Sequence, residues 1–125
     1  MLFRSLSQVN SVGNNAFRGC AALEYVNLPQ AATIGANSFE SCSALKEASI
    51  PKVAKISNYA FSNCGKLVSV SAAAATEAGD FAFFGCASLE SISLPELKTL
   101  GKSAFAGCSS LKEFDLLRTV DQRVA

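Results

Sequence analysis

The stretch from Leu94 to Phe114, LPELKTLGKSAFAGCSSLKEF, decides the fold because its spacing of Phe, Cys and Leu recurs along the chain. These three residue types keep an interval of 22 residues through five cycles without an insertion. They are Phe17, Phe39, Phe61, Phe83 and Phe105; Cys20, Cys42, Cys64, Cys86 and Cys108; and Leu23, Leu45, Leu67, Leu89 and Leu111. A fixed period of about 20 to 30 residues is typical of a solenoid. The sequence therefore predicts a repeat protein.

Each period combines a strand pattern with a turn pattern. From Leu89 to Leu94, LESISL alternates apolar with polar residues, as a half-buried strand does. Proline follows in three cycles and ends strand pairing because it lacks an amide donor. The next marker is a glycine, replaced by Ser57 in the third cycle, for which we predict a turn with positive φ. These glycines are Gly13, Gly35, Gly79 and Gly101. The segment from glycine to cysteine is too short for a full helix and predicts one helical or 3₁₀ turn.

These units form a stable structure only as a stack, because a single coil cannot bury its own apolar face. Equivalent strands then pair at about 4.8 Å in one parallel sheet. The prediction is an α/β solenoid of five 22-residue coils, with the sheet on the concave face and short strands or 3₁₀ turns on the convex face. It is a single domain over residues 1–125, with repeats at about 9–116 and irregular ends at 1–8 and 117–125.

The repeat resembles the BspA-type, or treponemal-type, leucine-rich repeats. The matching string is IGxxAFxxCxxLxxVxLP, present here as IGANSFESCSALKEASIP from Ile34 and as LGKSAFAGCSSLKEFDL from Leu100. The resemblance implies a leucine-rich-repeat solenoid of a surface or host-interaction protein, with adhesion and protein binding as its associated roles and no catalytic residues. It also implies a cell-surface or extracellular location.

Composition excludes several other classes of function. Eleven Lys and Arg against ten Asp and Glu leave a formal charge of +1, which removes the electrostatic basis for binding nucleic acid or anionic membranes. The chain has no His, which excludes histidine bases and imidazole metal sites. No apolar stretch approaches the ~18 residues of a spanning helix, and the opening MLFRSLSQVN predicts no secretory signal in this chain. We expect no enzyme activity, no cofactor and no membrane insertion.

The cysteines are predicted to be small apolar core residues. Thiols one coil apart form a line with steps near 4.8 Å, whereas zinc needs four ligands around it at about 2.3 Å. Parallel side chains also keep Cβ atoms farther apart than the ~3.8 Å of a disulfide. We expect neither a metal site nor a disulfide framework.

Outward strand positions are the better candidates for binding. They form two columns on the predicted sheet, with Tyr25 as the only large amphipathic anchor. The first column is Tyr25, Glu47, Ser69, Ser91 and Glu113, and the second is Asn27, Ser49, Ser71, Ser93 and Asp115. The alternative is a solvated face whose Ser hydroxyls hydrogen-bond along the column. A flanking column of mixed charge predicts surface solubility only. It consists of Glu24, Lys46, Val68, Glu90 and Lys112.

The fourth cycle departs from the pattern. Ala72, Ala75 and Ala78 stand where the next cycle has leucines, and unfilled space there would destabilise the fold by several kcal/mol. The same cycle carries two extra aromatic residues, Phe81 and Phe84. Two interpretations remain open: the rings repack around the alanines, or they form an exposed apolar patch used for binding.

Neither end of the stack has an evident cap. Arg4 stands where Val26 stands one cycle later, which predicts a damaged or absent first strand. After Leu116 the pattern breaks up, with Gln122 at the position of Leu100. Either the chain is a segment of a longer surface protein, or a second copy covers its ends in a homodimer.

The sequence as a whole predicts a non-enzymatic, protein-binding leucine-rich-repeat module of a surface or adhesion-type protein, with a host or matrix protein as partner. The alternative, from a different class, is an architectural spacer segment with no ligand of its own.

Overall fold

The computed structural model describes residues 3–111, with Phe3–Ser5 described by their backbone, and these residues form two parallel sheets of five strands each. The first sheet contains β1 (Phe3–Ser5), β3 (Tyr25–Asn27), β5 (Glu47–Ser49), β7 (Ser69–Ser71) and β9 (Ser91–Ser93). The second contains β2 (Ser11–Val12), β4 (Thr33–Ile34), β6 (Lys55–Ile56), β8 (Glu77–Ala78) and β10 (Thr99–Leu100). The chain alternates between the two sheets, so five strands in each sheet correspond to about four complete turns of a solenoid.

Strand register follows the sequence period. Tyr25 pairs with Glu47, Glu47 with Ser69, and Ser69 with Ser91, each one coil apart. The predicted stack of 22-residue coils with a parallel sheet, and with short strands opposite it, is therefore confirmed. The short strands form a second continuous sheet because they keep the same register, as in the pairing of Ile34 with Ile56.

The first strand is intact, contrary to the prediction from Arg4. β1 pairs with β3 in register, with Arg4 opposite Val26. The amide of Leu6 extends this pairing by donating to the carbonyl of Asn27 at 3.0 Å. Ladder hydrogen bonds join backbone groups, so an unfavourable side chain does not by itself prevent the pairing. The breakdown predicted after Leu116 lies outside the described residues.

The segment between glycine and cysteine is a run of turns, and residues 3–111 contain no α- or 3₁₀-helix. The predicted helical turn is therefore wrong. In the first coil, the amides of residues 16, 18 and 20 donate to carbonyls three residues earlier, while those of residues 15, 17 and 19 donate to the next coil. Phe17, for example, donates to the carbonyl of Ser38 at 2.7 Å. A 3₁₀-helix needs successive local bonds, and here every second bond is given to the neighbouring coil.

Positive φ occurs at two positions of this turn, but not at the predicted glycines. Gly13, Gly35, Gly79 and Gly101 are absent from the positive-φ residues, so that prediction is wrong. The first positive-φ position holds Asn15, Asn37, Tyr59, Phe81 and Ser103, and the second holds Gly19, Ser41, Asn63, Gly85 and Gly107. These left-handed residues rotate the chain so that alternate amides point to the neighbouring coil.

The interior is made of side-chain ladders that run the length of the stack. The Phe rings stack face to face, with centroids 5.2 Å apart between Phe17 and Phe39 and 5.3 Å apart between Phe39 and Phe61. Leu45, Leu67 and the other inward leucines continue the core beside them. Cys42, Cys64, Cys86 and Cys108 are buried and Cys20 is half-buried, so the prediction that they fill the core is confirmed.

The three alanines of the fourth coil are buried in the core, whereas the two extra aromatic residues of that coil lie outside it. Ala72, Ala75 and Ala78 are 0 to 1% exposed and belong to the core. Phe81 and Phe84 are not part of that core or of the hydrophobic residues packed against it. The position of these rings outside the core favours the interpretation in which they form an apolar patch.

Candidate functional site

The two predicted polar columns lie side by side on the first sheet, and we call their described members the polar face. They are Tyr25, Glu47, Ser69 and Ser91 in one column, and Asn27, Ser49, Ser71 and Ser93 in the other. Between them runs the buried column Val26, Ala48, Val70 and Ile92. Because side chains alternate along a strand, burial of this middle column directs both neighbouring columns outward. Glu113 and Asp115 lie outside the described residues.

The serine hydroxyls of the polar face are available to a partner. Among the hydrogen bonds of the described residues, none involves the hydroxyl of Ser49, Ser69, Ser71, Ser91 or Ser93. The hydroxyl-to-hydroxyl bonds of the predicted solvated face are therefore not formed among these five serines. Each hydroxyl can donate one hydrogen bond and accept two.

Charge on the polar face is limited to Glu47 among its described members. The flanking column differs: the Lys46 ammonium lies 3.7 Å from a carboxylate oxygen of Glu24, and Val68 is an exposed apolar side chain. Lys112 lies outside the described residues. The contrast defines an almost uncharged strip bordered on one side by an ion pair.

A cluster of aromatic side chains, which we call the aromatic cluster, lies on the turns. The ring of Tyr59 stacks on Phe81 with centroids 5.1 Å apart, and Phe84 meets Phe81 edge to face at 5.6 Å. Tyr59 and Phe84 are each 38% exposed and Phe81 is half-buried. Tyr59 is not among the residues predicted from the sequence, although its position 22 residues before Phe81 indicates that the two rings are neighbours.

Two members of this cluster have a strained backbone. Tyr59 has φ 60° and Phe81 has φ 57°, at a repeat position that holds Asn15 and Asn37 in the first two coils. Asn tolerates the left-handed region, whereas a bulky residue there costs about 1 to 3 kcal/mol and persists when its surroundings require it. Strain of this kind is concentrated at functional sites, which makes the cluster a second candidate contact surface.

The buried thiols have a structural task that the sequence did not reveal. The Sγ of Cys42 donates to the carbonyl of Phe17 at 3.1 Å, and Cys64 donates to Phe39 at the same distance. Cys86 and Cys108 repeat this contact. Burial raises the pKa of Cys42 to about 11 and that of Cys64 to about 12. The thiols of Cys42 and Cys64 therefore stay protonated and poorly nucleophilic at neutral pH.

No three potential His, Cys, Asp or Glu ligands come together within residues 3–111. In the same residues, no helix has the length and apolar character needed to cross a membrane.

Comparison with known proteins agrees with this architecture. The family model described as the BspA type leucine-rich repeat region (6 copies) matches residues 32–123. No curated protein matches the chain.

Two solved structures share the fold. A leucine-rich cell surface protein from Faecalibacterium prausnitzii has 23% identity and a TM-score of 0.81, and the match covers 98% of this chain and 36% of that chain. A leucine-rich repeat protein from Bacteroides ovatus has 21% identity and a TM-score of 0.62, covering 99% and 41%. This chain therefore spans only about two fifths or less of the length of either protein. With its repeat, its sheets and its family match in agreement, the chain belongs to the BspA-type leucine-rich repeat family.

Proposed function

We propose that this chain is a non-enzymatic, protein-binding module of a cell-surface protein, and that the polar face contacts its partner. Membership of the BspA-type family supports a role in protein interaction. The fold shared with a cell surface protein of Faecalibacterium prausnitzii supports the location. The partner is a protein, with a host or matrix protein as the favoured class.

The observation that carries this proposal is the set of five unpaired serine hydroxyls on a nearly uncharged sheet. Small side chains allow the surface of a partner to approach the strands closely. Hydroxyls about 4.8 Å apart along each column then offer a regular array of donors and acceptors. Desolvating neutral hydroxyls that regain hydrogen bonds to a partner is less costly than desolvating charges.

Larger side chains at the margins supply the apolar contacts. Tyr25 is half-buried at the start of the first column and presents an amphipathic ring of the type enriched at interface hot spots. The aromatic cluster adds exposed apolar surface on the turns. We propose that Tyr25 anchors the partner and that Phe81 and Phe84 extend the contact.

A matched pair of double variants tests the proposal. Ser71→Arg with Ser93→Arg places two long cations on the polar face, at exposed positions of β7 and β9. Thr33→Arg with Thr99→Arg makes the same kind of change at exposed positions of β4 and β10 on the other sheet. Circular dichroism establishes that both variants fold. Each chain is then immobilised and exposed to extracellular-matrix extract, and the affinity of each captured protein is measured separately.

The proposal predicts that the polar-face variant loses about tenfold or more in affinity, equal to about 1.4 kcal/mol, while the control variant keeps the original affinity. Loss in both variants would show that added charge alone interferes. Equal affinity of the original chain and both variants would show that the polar face is not the contact surface. No specific capture by the folded original chain would identify the architectural spacer instead.

A further inference from the structure

Three side chains at one repeat position bind neighbouring coils together. The Oδ1 of Asn14 accepts a hydrogen bond from the amide of Ala36 at 2.9 Å, and that of Asn58 accepts one from Asp80 at 2.8 Å. The Oδ1 of Asp80 in turn accepts one from the amide of Lys102 at 2.9 Å. We call residues 14, 36, 58, 80 and 102 the bridging position. An Asn or Asp here supplies the acceptor for the coil that follows.

Each such bridge requires a glycine in the following coil. A Cβ added to any of these glycines would overlap the bridging residue of the preceding coil. The pairs are Asn14 with Gly35, Asn58 with Gly79, and Asp80 with Gly101. The close approach of the bridging residue, by its backbone nitrogen as well as by its Oδ1, and not a positive φ, therefore explains why glycine occupies these positions.

The one junction without a bridge has no glycine either. Ala36 occupies the bridging position of the second coil and has no side-chain acceptor. The following coil has Ser57 in place of glycine, and its hydroxyl donates to the carbonyl of Ile34 at 2.7 Å. An Asn or Asp in one coil and a glycine in the next thus occur together or not at all across the four described junctions.

Gly13 follows the pairing of a bridging Asn or Asp with a glycine in the next coil only if another coil lies before it. A Cβ on Gly13 would meet nothing within 4 Å, so the space that a bridging side chain occupies elsewhere is open. Within residues 3–111, the amides of Gly13 and Asn14 have no acceptor. Their counterparts Gly35 and Ala36 donate to the carbonyl of Val12 and to the side chain of Asn14.

We infer that the N-terminal edge of the stack is a docking surface for a further coil of this repeat, continuous with the chain and carrying Asn or Asp at its bridging position. Such a coil fills the space beside Gly13 and accepts from the amide of Asn14. The last described bridging residue is Lys102, which has no acceptor in its side chain. Val124, one period later in the sequence, has none either, so a second copy supplies no bridging acceptor from these two positions, and we propose a coil of the same repeat as the occupant. This inference does not rest on the proposed protein-binding function.

A fusion places such a coil on the edge. A copy of residues 45–66 joined directly before Met1 continues the 22-residue register and sets the copied Asn58 one period before Asn14. A second fusion has Ala in place of that copied Asn. Both are also made with Gly13→Ala, and the equilibrium constants for unfolding in urea are compared across the four proteins. Asn58→Ala in the unfused chain reports the size of the effect at an established junction.

The expected result is that Ala in place of the copied Asn raises the unfolding constant by about tenfold with Gly13 present, similar to the effect of Asn58→Ala, since one hydrogen bond is lost. With Gly13→Ala, the same replacement has no effect because the bridge no longer fits. Hydrogen exchange at the amide of Asn14 provides a second readout: the Asn fusion protects it and the Ala fusion does not.

Equal unfolding constants and equal exchange for the two fusions would overturn the inference, as would an Asn effect that survives Gly13→Ala. Light scattering tests whether a second copy, and not a further coil, occupies the N-terminal edge. The unfused chain is expected to keep one mass at all concentrations. A mass that increases with concentration would show that copies associate head to tail and that a second copy is the occupant.

Discussion

Two sets of aromatic rings in this molecule have nearly the same contact geometry and opposite surroundings. In the interior ladder, Phe61 and Phe83 stack with centroids 5.4 Å apart and ring planes 3° apart. In the aromatic cluster, Tyr59 and Phe81 stack at 5.1 Å and 10°. Both spacings follow from the coil-to-coil step, which brings any residue close to its counterpart 22 residues away. Burial, and not ring contact, therefore separates a core residue from a candidate contact residue.

The largest effect is expected from breaking the interior ladder. Phe61→Ala removes a fully buried ring that stacks on Phe39 and Phe83, and we expect it to lower the free energy of unfolding by about 3 to 5 kcal/mol. Tyr59→Ala, two residues away, is the matched control and should lower it by less than about 1 kcal/mol. Urea unfolding followed by circular dichroism measures both. Equal losses would contradict the distinction drawn between the two sets of rings.

The thiols beside the interior rings make this region sensitive to high pH. Burial raises the pKa of Cys42 to about 11 and that of Cys64 to about 12, above the ordinary value of 9.0. The unfolded chain therefore loses these protons first as the pH rises. The stabilisation is complete below pH 9 and is lost as the pH rises through the folded pKa values.

We expect each such thiol to reduce the free energy of unfolding by about 1 kcal/mol at pH 10 relative to pH 8. Urea midpoints measured across this range test the expectation, with Cys64→Ala as the control that removes one titrating group. A pH dependence that is the same with and without Cys64 would show that its thiol is not responsible.

One hydroxyl next to the interior ladder is buried without a hydrogen-bond partner, so its removal is expected to stabilise the fold. Ser38 is fully buried, and its Oγ has no hydrogen-bond partner. The same repeat position holds Ala16, Ala60 and Ala82 in other coils. We expect Ser38→Ala to raise the free energy of unfolding by about 1 kcal/mol, because an unsatisfied buried hydroxyl is removed.

Ser57→Ala is the opposing control for that change. It deletes the hydroxyl that donates to Ile34, so thermal and urea unfolding should show a loss of about 1 kcal/mol. A gain from both substitutions would mean that hydrogen bonding does not decide the effect.

The smallest effect on stability is expected at the aromatic cluster. Phe81→Asn installs the residue that the first two coils use at this left-handed position, so relief of strain offsets the lost ring contacts. The free energy of unfolding should change by less than about 1 kcal/mol in either direction. If Phe81→Asn lowers the free energy of unfolding as much as Phe61→Ala does in the same urea experiment, Phe81 is a core residue and not a contact residue.

The sequence predicted the columns of the polar face better than the turns. Ser69 and Ser91 could be assigned to one column because a residue and its copy one period later must be strand neighbours in a stack. The turn was mispredicted because its amides alternate between local acceptors and the next coil, and local spacing carries no sign of that division. Tyr59 could not be recognised from the recurring residue types, because its repeat position varies from Asn37 to Tyr59 to Phe81 in successive coils.

The period in the sequence determined the parallel stack, the inward Phe, Cys and Leu ladders and the residues of each outward column, since an invariant interval permits only one register. The tertiary structure decided which aromatic rings are buried and which face solvent, why Gly35 and Gly79 are glycines, and what the thiols bond to. Those properties depend on contacts between different residues of adjacent coils, such as Asn14 beside Gly35, and a repeat pattern describes only the contacts between equivalent ones.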